Sequence, residues 1–291
     1  MKHFYATVIF ILSNLAASSQ TIIGQEIQGD TPIENFGRNV DLSSDGEVIA
    51  ILSGILNVPS KVRLYIQNDT GWEQLGNTIN SGDPFAAWTE ISLSGDGNVM
   101  AIKHLDFMNG TGRVIVYENQ DGNWVQKGQD IIGSAEGNSF NSSIDLKENS
   151  NTLIIGYADH VGNGQNSGHA RVFQFTENSW SQVGDDIDGE FEDDLFGWSA
   201  SIDATGNIIS VGAIDYTAGE PLGQVRVFEN QGDTWIQLGQ TIIGATPSIL
   251  GWQTKLSNDG STLAVTAPFN SDSGVFGSGE VQVFQLNTGT W

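Results

Sequence analysis

The side chains best suited to chemistry in this chain are carboxylates and indoles. Asp41, Asp145 and Asp203 stand in short alternating stretches (VDLSSDG, SIDLKE, SIDATG). Two such acids opposed around one bond could serve as acid and base in glycoside hydrolysis. Asp41 and Asp145, however, occupy equivalent points of a repeat, which favours a structural role in the strand. Trp198 and Trp252 each follow a Phe-Gly or Leu-Gly pair, and Trp88 lies one residue out of that register. An exposed indole beside Asp and Asn stacks on a sugar ring and bonds its hydroxyls, whereas a buried one fills the gap between strands. Arg38, Asp193 and Asp194 complete the candidate ligand-binding set. The two aspartates belong to GEFEDDLFG with Glu190 and Glu192, a cluster suited to a cation, to a basic partner, or simply to solvation. His104, His160 and His169 lack the spacing of a metal site, and cysteine is absent, so no metal centre is expected. No nucleophile elbow, phosphate-binding glycine loop or His-Glu-x-x-His is present.

The elements that must position these residues repeat along the chain. A Gly-x-x-Ile pair recurs at Gly24, Gly76, Gly128, Gly184 and Gly239, with glycines 52, 52, 56 and 55 residues apart. Four residues before each stands a tryptophan (Trp72, Trp124, Trp180, Trp235), except at the first, where Gln20 takes its place. Each unit reads as two hairpins: a strand, an Asp-Gly or Asn-type turn, a second strand with small residues, a polar loop, then two more strands around a tight turn. No segment sustains a helical period. Four antiparallel strands per unit predict the blade of a β-propeller, because packing blades face to face covers both faces of each sheet. The recurrent Trp is the expected wedge between blades.

Residues 1–19 read as a secretory signal, with a short basic start, an apolar run and a small-residue cleavage site. The remainder, 20–291, forms one domain of five repeats (about 20–71, 72–123, 124–179, 180–234 and 235–291). Residues 21–28 are the second half of a unit, and the last unit stops at Trp291 where its fourth strand would begin. The expectation is a five-bladed ring closed by the N-terminal strand, or a larger ring if the chain continues. Without cysteine the fold depends on its core alone. The net charge of −24 disfavours nucleic acid and anionic membranes as partners and suits cations or basic surfaces.

The units resemble the FG-GAP repeat family, the propeller type of integrin α subunits. Phe36-Gly37 and Phe196-Gly197 match its opening, Leu250-Gly251 and Phe140-Asn141 are weaker forms, and Gly212-Ala213 and Ala267-Pro268 keep parts of its ending. The repeat W-x-Q-x-G-x-x-I-x-G is also similar to repeat proteins of marine bacteria. The resemblance implies a calcium loop, but Ile49 stands where the closing acid of Asp41–Gly46 belongs. No cofactor is therefore expected, with Ca²⁺ the one ion weighed. The functional expectation is a secreted or cell-surface, non-enzymatic recognition and adhesion module, binding an extracellular glycan or surface protein through its loop face. A glycosidase-like enzyme with channel carboxylates and a purely structural adhesin repeat are the alternatives.

Overall fold

The structure is a computed structural model that describes residues 22–54, 58–82, 86–106, 112–133, 142–148, 151–214, 222–245, 247–271 and 277–291. The expected leader lies outside them. The described residues form antiparallel sheets and no helix, and so contain no helix long and apolar enough to cross a membrane.

The first sheet contains β1 (Asn39–Leu42), β2 (Val48–Ser53), β3 (Lys61–Asn68), β4 (Gly71–Gln74) and β5 (Ile79–Asn80). The second contains β6 (Ala86–Leu93), β7 (Val99–Asp106), β8 (Gly112–Gln120), β9 (Asn123–Gln126) and β10 (Ile131–Ile132). The third has β11 (Ser142–Leu146), β12 (Thr152–Tyr157), β13 (His169–Thr176), β14 (Ser179–Gln182) and β15 (Ile187–Asp188). The fourth has β16 (Phe196–Ile202), β17 (Ile208–Ala213), β18 (Gln224–Asn230), β19 (Trp235–Gln237) and β20 (Ile242–Ile243). A fifth sheet of three strands holds β21 (Thr254–Leu256), β22 (Thr262–Ala267) and β23 (Glu280–Gln285). Each of the first four is a four-strand meander whose outermost strand is split into two pieces, both paired to the third strand.

That split explains the repeat. Gly76, Gly128, Gly184 and Gly239 have φ between 73° and 79° (78°, 75°, 73° and 79°), a left-handed backbone that breaks the strand and suits glycine. A Cβ at Gly128 would stand 2.8 Å from Trp180 Cδ1, and one at Gly239 2.8 Å from Trp291 Cδ1. The glycine of one unit thus seats the tryptophan of the next. Each indole N–H then donates to the carbonyl just before that glycine: Trp72 to Ile23 (3.1 Å), Trp124 to Leu75 (3.0 Å), Trp180 to Lys127 (2.8 Å), Trp235 to Val183 (3.0 Å) and Trp291 to Leu238 (2.9 Å). The residue after the glycine adds a clamp. Gln129 accepts from Trp180 N (3.0 Å) and donates to Trp180 O (2.7 Å).

The hairpin turns are built from short side chains. Asp45 accepts from Ser43 Oγ (2.6 Å) and Glu47 N (2.9 Å), while Ser43 Oγ accepts from Val48 N (2.9 Å). Ser94 with Asp96 and Ser257 with Asp259 repeat the arrangement. The carboxylates of the loops weighed for calcium therefore order their own turns.

The N-terminal segment does not take the place expected of it. Residues 22–29 form no strand, and the fifth sheet runs β21-β22-β23 without them. The segment is instead bound to the first sheet, where Gln25 clamps Trp72 (2.7 and 3.0 Å). It offers Trp72 the groove that each outer strand offers its successor, without pairing to β23.

A charged cavity in the channel as candidate functional site

The innermost strands β1, β6, β11, β16 and β21 follow one another around a cavity of about 590 Å³. Their positions are fixed by a ladder from sheet to sheet. Asp41 accepts from Leu93 N (2.7 Å), Ser92 from Leu146 N (2.9 Å), Asp145 from Ile202 N (2.9 Å) and Ser201 from Leu256 N (3.2 Å). The equivalence of Asp41 and Asp145 is thus a structural habit, as their places in the repeat suggest. Lys255 occupies the fifth such position. It cannot accept, and its ammonium donates across the channel to Asp145 (2.7 Å).

A second rung breaks the symmetry more sharply. Glu90 stands where the other inner strands carry Asn39, Ser143 and Ser199, and it faces Lys103 across the β6–β7 pair. Lys103 takes the rung that Gly156 and Gly212 hold in the third and fourth sheets. The carboxylate and ammonium are 3.9 Å apart. Burial pushes the Glu90 carboxyl up to about 7, against the pull of Lys103 and of the Ile144 amide, which it accepts. Burial likewise lowers Lys103, with Glu90 and Asp159 opposing. Glu90 lines the cavity, and about a third of its side chain (32%) stays accessible. Asp41 is also raised by burial, despite the amides of Leu93 and Leu42 and the nearby Lys255. The Lys255 side chain is largely accessible from the channel (68%), which leaves little cost of burial, and Asp145, Asp41 and Glu90 together hold it above its usual value. A carboxyl that is half ionised near neutrality beside two ammonium groups can give or take a proton and stabilise a developing oxyanion.

Trp198 and Trp252 line the same cavity, with ring centroids 5.0 Å apart. Phe269 packs edge-on against Trp252 at 5.9 Å. The other residues of the expected ligand set lie outside the cavity lining. Trp88 is buried (2%) in the core between the first two sheets. Arg38 donates to Gly54 O (3.3 Å). Asp194 is buried (4%) and accepts from the amides of Glu190 (3.0 Å) and Phe191 (2.8 Å). Asp193 accepts from Asn166 (2.9 Å). Asp203 folds onto its own turn, accepting from Thr205 and Ile208. Sequence reasoning missed Glu90, Lys103 and Lys255. Their signal is visible on alignment of the units: Glu90 and Lys103 are charges at rungs that are otherwise polar, apolar or glycine, and Lys255 is a cation at a rung that otherwise carries Asp or Ser.

No family model matches the chain, and no curated protein matches it. Solved structures do. A Bacteroides uniformis protein provisionally assigned as a 6-phosphogluconolactonase is 17% identical, with a TM-score of 0.57 over 87% of this chain and 68% of that one. The Pseudomonas aeruginosa periplasmic gluconolactonase is 17% identical, with a TM-score of 0.53 over 88% of this chain and 74% of that one. The Dos1 propeller is 15% identical, with a TM-score of 0.50 over 87% of this chain and 55% of that one. At these identities the likeness establishes the fold, and the FG-GAP resemblance goes no further than that. The expectation of a non-enzymatic recognition and adhesion module is corrected: similar propellers include lactonase-type enzymes, and this channel holds two ammonium groups, Lys103 and Lys255, beside the Glu90 carboxyl, which itself accepts the Ile144 amide of the next sheet. The chain is an all-β protein of the β-propeller fold.

Proposed function

We propose that the protein is a hydrolase that opens a small, polyhydroxylated ester of the sugar-lactone class in the central channel. The observation that carries the reading is the Glu90 carboxyl, raised to about 7 beside Lys103 in the cavity. Glu90 takes a proton from water as the water oxygen bonds to the lactone carbonyl carbon. Lys103 and Lys255 face the oxyanion that forms. The ring C–O bond then breaks, and Glu90 returns the proton to the departing ring oxygen, leaving a hydroxy acid. Trp198 and Trp252 offer aromatic faces to the C–H face of the sugar ring. The titratable groups in the cavity lining, Asp41, Glu90, Asp145, Lys103 and Lys255, sum to about −1 when ionised, and no arginine is among them. That balance favours an unphosphorylated lactone over one bearing a dianionic phosphate.

The test is hydrolysis of glucono-δ-lactone by the full chain, followed by acid release against the buffer rate. Glu90→Gln should lower kcat by about 10²–10⁴-fold, as loss of a general base does. The wild-type rate should fall as pH drops below about 7, because the base must be ionised. A wild-type rate equal to the buffer background, or a Glu90→Gln variant as active as wild type, would overturn the reading.

A further inference from the structure

At one end of the third sheet a loop, the third strand and the split outer strand converge on two imidazoles and a carboxylate. Antiparallel pairing sets His169, the first residue of β13, directly opposite Asp188 of β15. His160, in the loop after β12, stacks on His169 with centroids 3.8 Å apart and planes inclined by 29°. One ligand atom from each of the three residues lies within 4.8 Å of the others. None of the three lines the channel cavity.

His169 is fully buried (0%), and neither of its ring nitrogens makes a hydrogen bond among the described residues. An imidazole hidden from water with both nitrogens unsatisfied costs on the order of 1–3 kcal/mol per group. The side chain is nonetheless aimed. Its Nδ1 stands 3.4 Å from Asp186 Oδ2, and Arg171 holds that carboxylate by two bonds of 2.8 and 2.7 Å. A carboxylate facing one nitrogen fixes the tautomer and leaves the other nitrogen bare, as in carboxylate–histidine–zinc arrangements. Burial, with His160 and Arg171 nearby, lowers the His169 imidazole below its ordinary range. The loop is tethered where it matters, since Gly168 N donates to His160 O (3.0 Å).

We propose that His160, His169 and Asp188 bind one divalent transition-metal ion of the zinc class, with Asp186 as the residue that positions His169. Two nitrogens and one oxygen suit zinc rather than calcium or magnesium, which take oxygen ligands. Metal–nitrogen bonds of about 2.0–2.1 Å imply ligand separations of roughly 3.3 Å, so binding draws the three groups together by up to about 1.5 Å. Three protein ligands leave one position for water or an exogenous group. The site was missed in the sequence because its ligands come from three separate segments and match no local spacing.

The proposal is tested on the full chain, stripped with chelator and titrated with Zn²⁺, or with Co²⁺ for its visible bands, in excess Ca²⁺ and Mg²⁺ to occupy the acidic surface. One equivalent should bind and raise the melting temperature. Asp188→Asn, at an exposed position, should abolish stoichiometric uptake without loss of fold, and His160→Ala should do the same. Asp186→Asn should weaken binding by about 10–100-fold, the usual effect of removing an outer-shell partner. Asp193→Asn should leave uptake unchanged. No uptake by wild type, or equal uptake by wild type and Asp188→Asn, would overturn the site whatever the outcome of the lactone assay.

Discussion

Glu90 illustrates how a single residue can carry a cost that the scaffold absorbs. In the unfolded chain its carboxyl titrates near 4.5, and in the folded protein near 7. Between these values the folded state holds more protons, so its stability falls as pH rises through that window and stays lower above it. Full burial would make this about 3 kcal/mol; with a third of the side chain open to solvent, about 1–2 kcal/mol is reasonable. The attraction of Lys103 is already contained in the raised value. Glu90→Gln should therefore melt higher than wild type at pH 8 and match it at pH 4, which thermal denaturation at the two pH values would check. Equal melting points at pH 8 would mean that the carboxyl is not held above its ordinary range. This residue was legible in principle, being an acid at a rung where the other units carry Asn39, Ser143 and Ser199. Strand register is what separates it from Asp41 and Asp145, acids that the sequence also places on innermost strands. Asp41 and Asp145 recur because each accepts an amide of the next sheet.

At the scale of the element, the strand pattern was plain in the sequence, since alternation and Asp-Gly turns specify hairpins locally. The packing of units was only half legible. A tryptophan four residues before a glycine suggests a wedge, but the glycine that matters to each indole belongs to the preceding unit. Trp180 shows the full arrangement: 4% exposed, with its indole donating to Lys127 and its backbone clamped by Gln129. Trp180→Ala should cost about 3–5 kcal/mol, the range for deleting a buried indole. Trp72→Ala should cost less, because Trp72 is only half-buried against the N-terminal segment. Chemical denaturation of the two variants would compare them directly. Gly128→Ala should also destabilise, since the new methyl would press on the Trp180 indole from a left-handed backbone (φ 75°).

Across the whole molecule the same interface recurs from sheet to sheet, except between the fifth sheet and the first. Ile91, Leu93, Ile144, Leu146, Ile202 and Leu256 on successive inner strands are all 5–6% exposed (5, 5, 5, 5, 6 and 5%). Their counterparts on β1, Val40 and Leu42, are 54% and 52% exposed. On the far side, Val281 and Val283 of β23 are 65% and 67% exposed, whereas Val225 and Val227 at the same rungs of β18 are fully buried. The ladder stops at the same place: Lys255 offers no acceptor, and Leu42 N is met by Asp41 of its own strand (2.9 Å). Among the described residues, then, two matching apolar faces lie uncovered beside the channel. Ring closure could not be read from the repeat, because a repeat specifies how neighbours pack but not how many complete the circle. Paired substitutions measure it. Ile91→Ala should cost about 2–4 kcal/mol, as buried isoleucines do, while Val40→Ala at the equivalent position should change stability by no more than about 0.5 kcal/mol. A cost at Val40 comparable to that at Ile91 would show that this face is covered in solution, with the channel cavity enclosed on its first-sheet side as well.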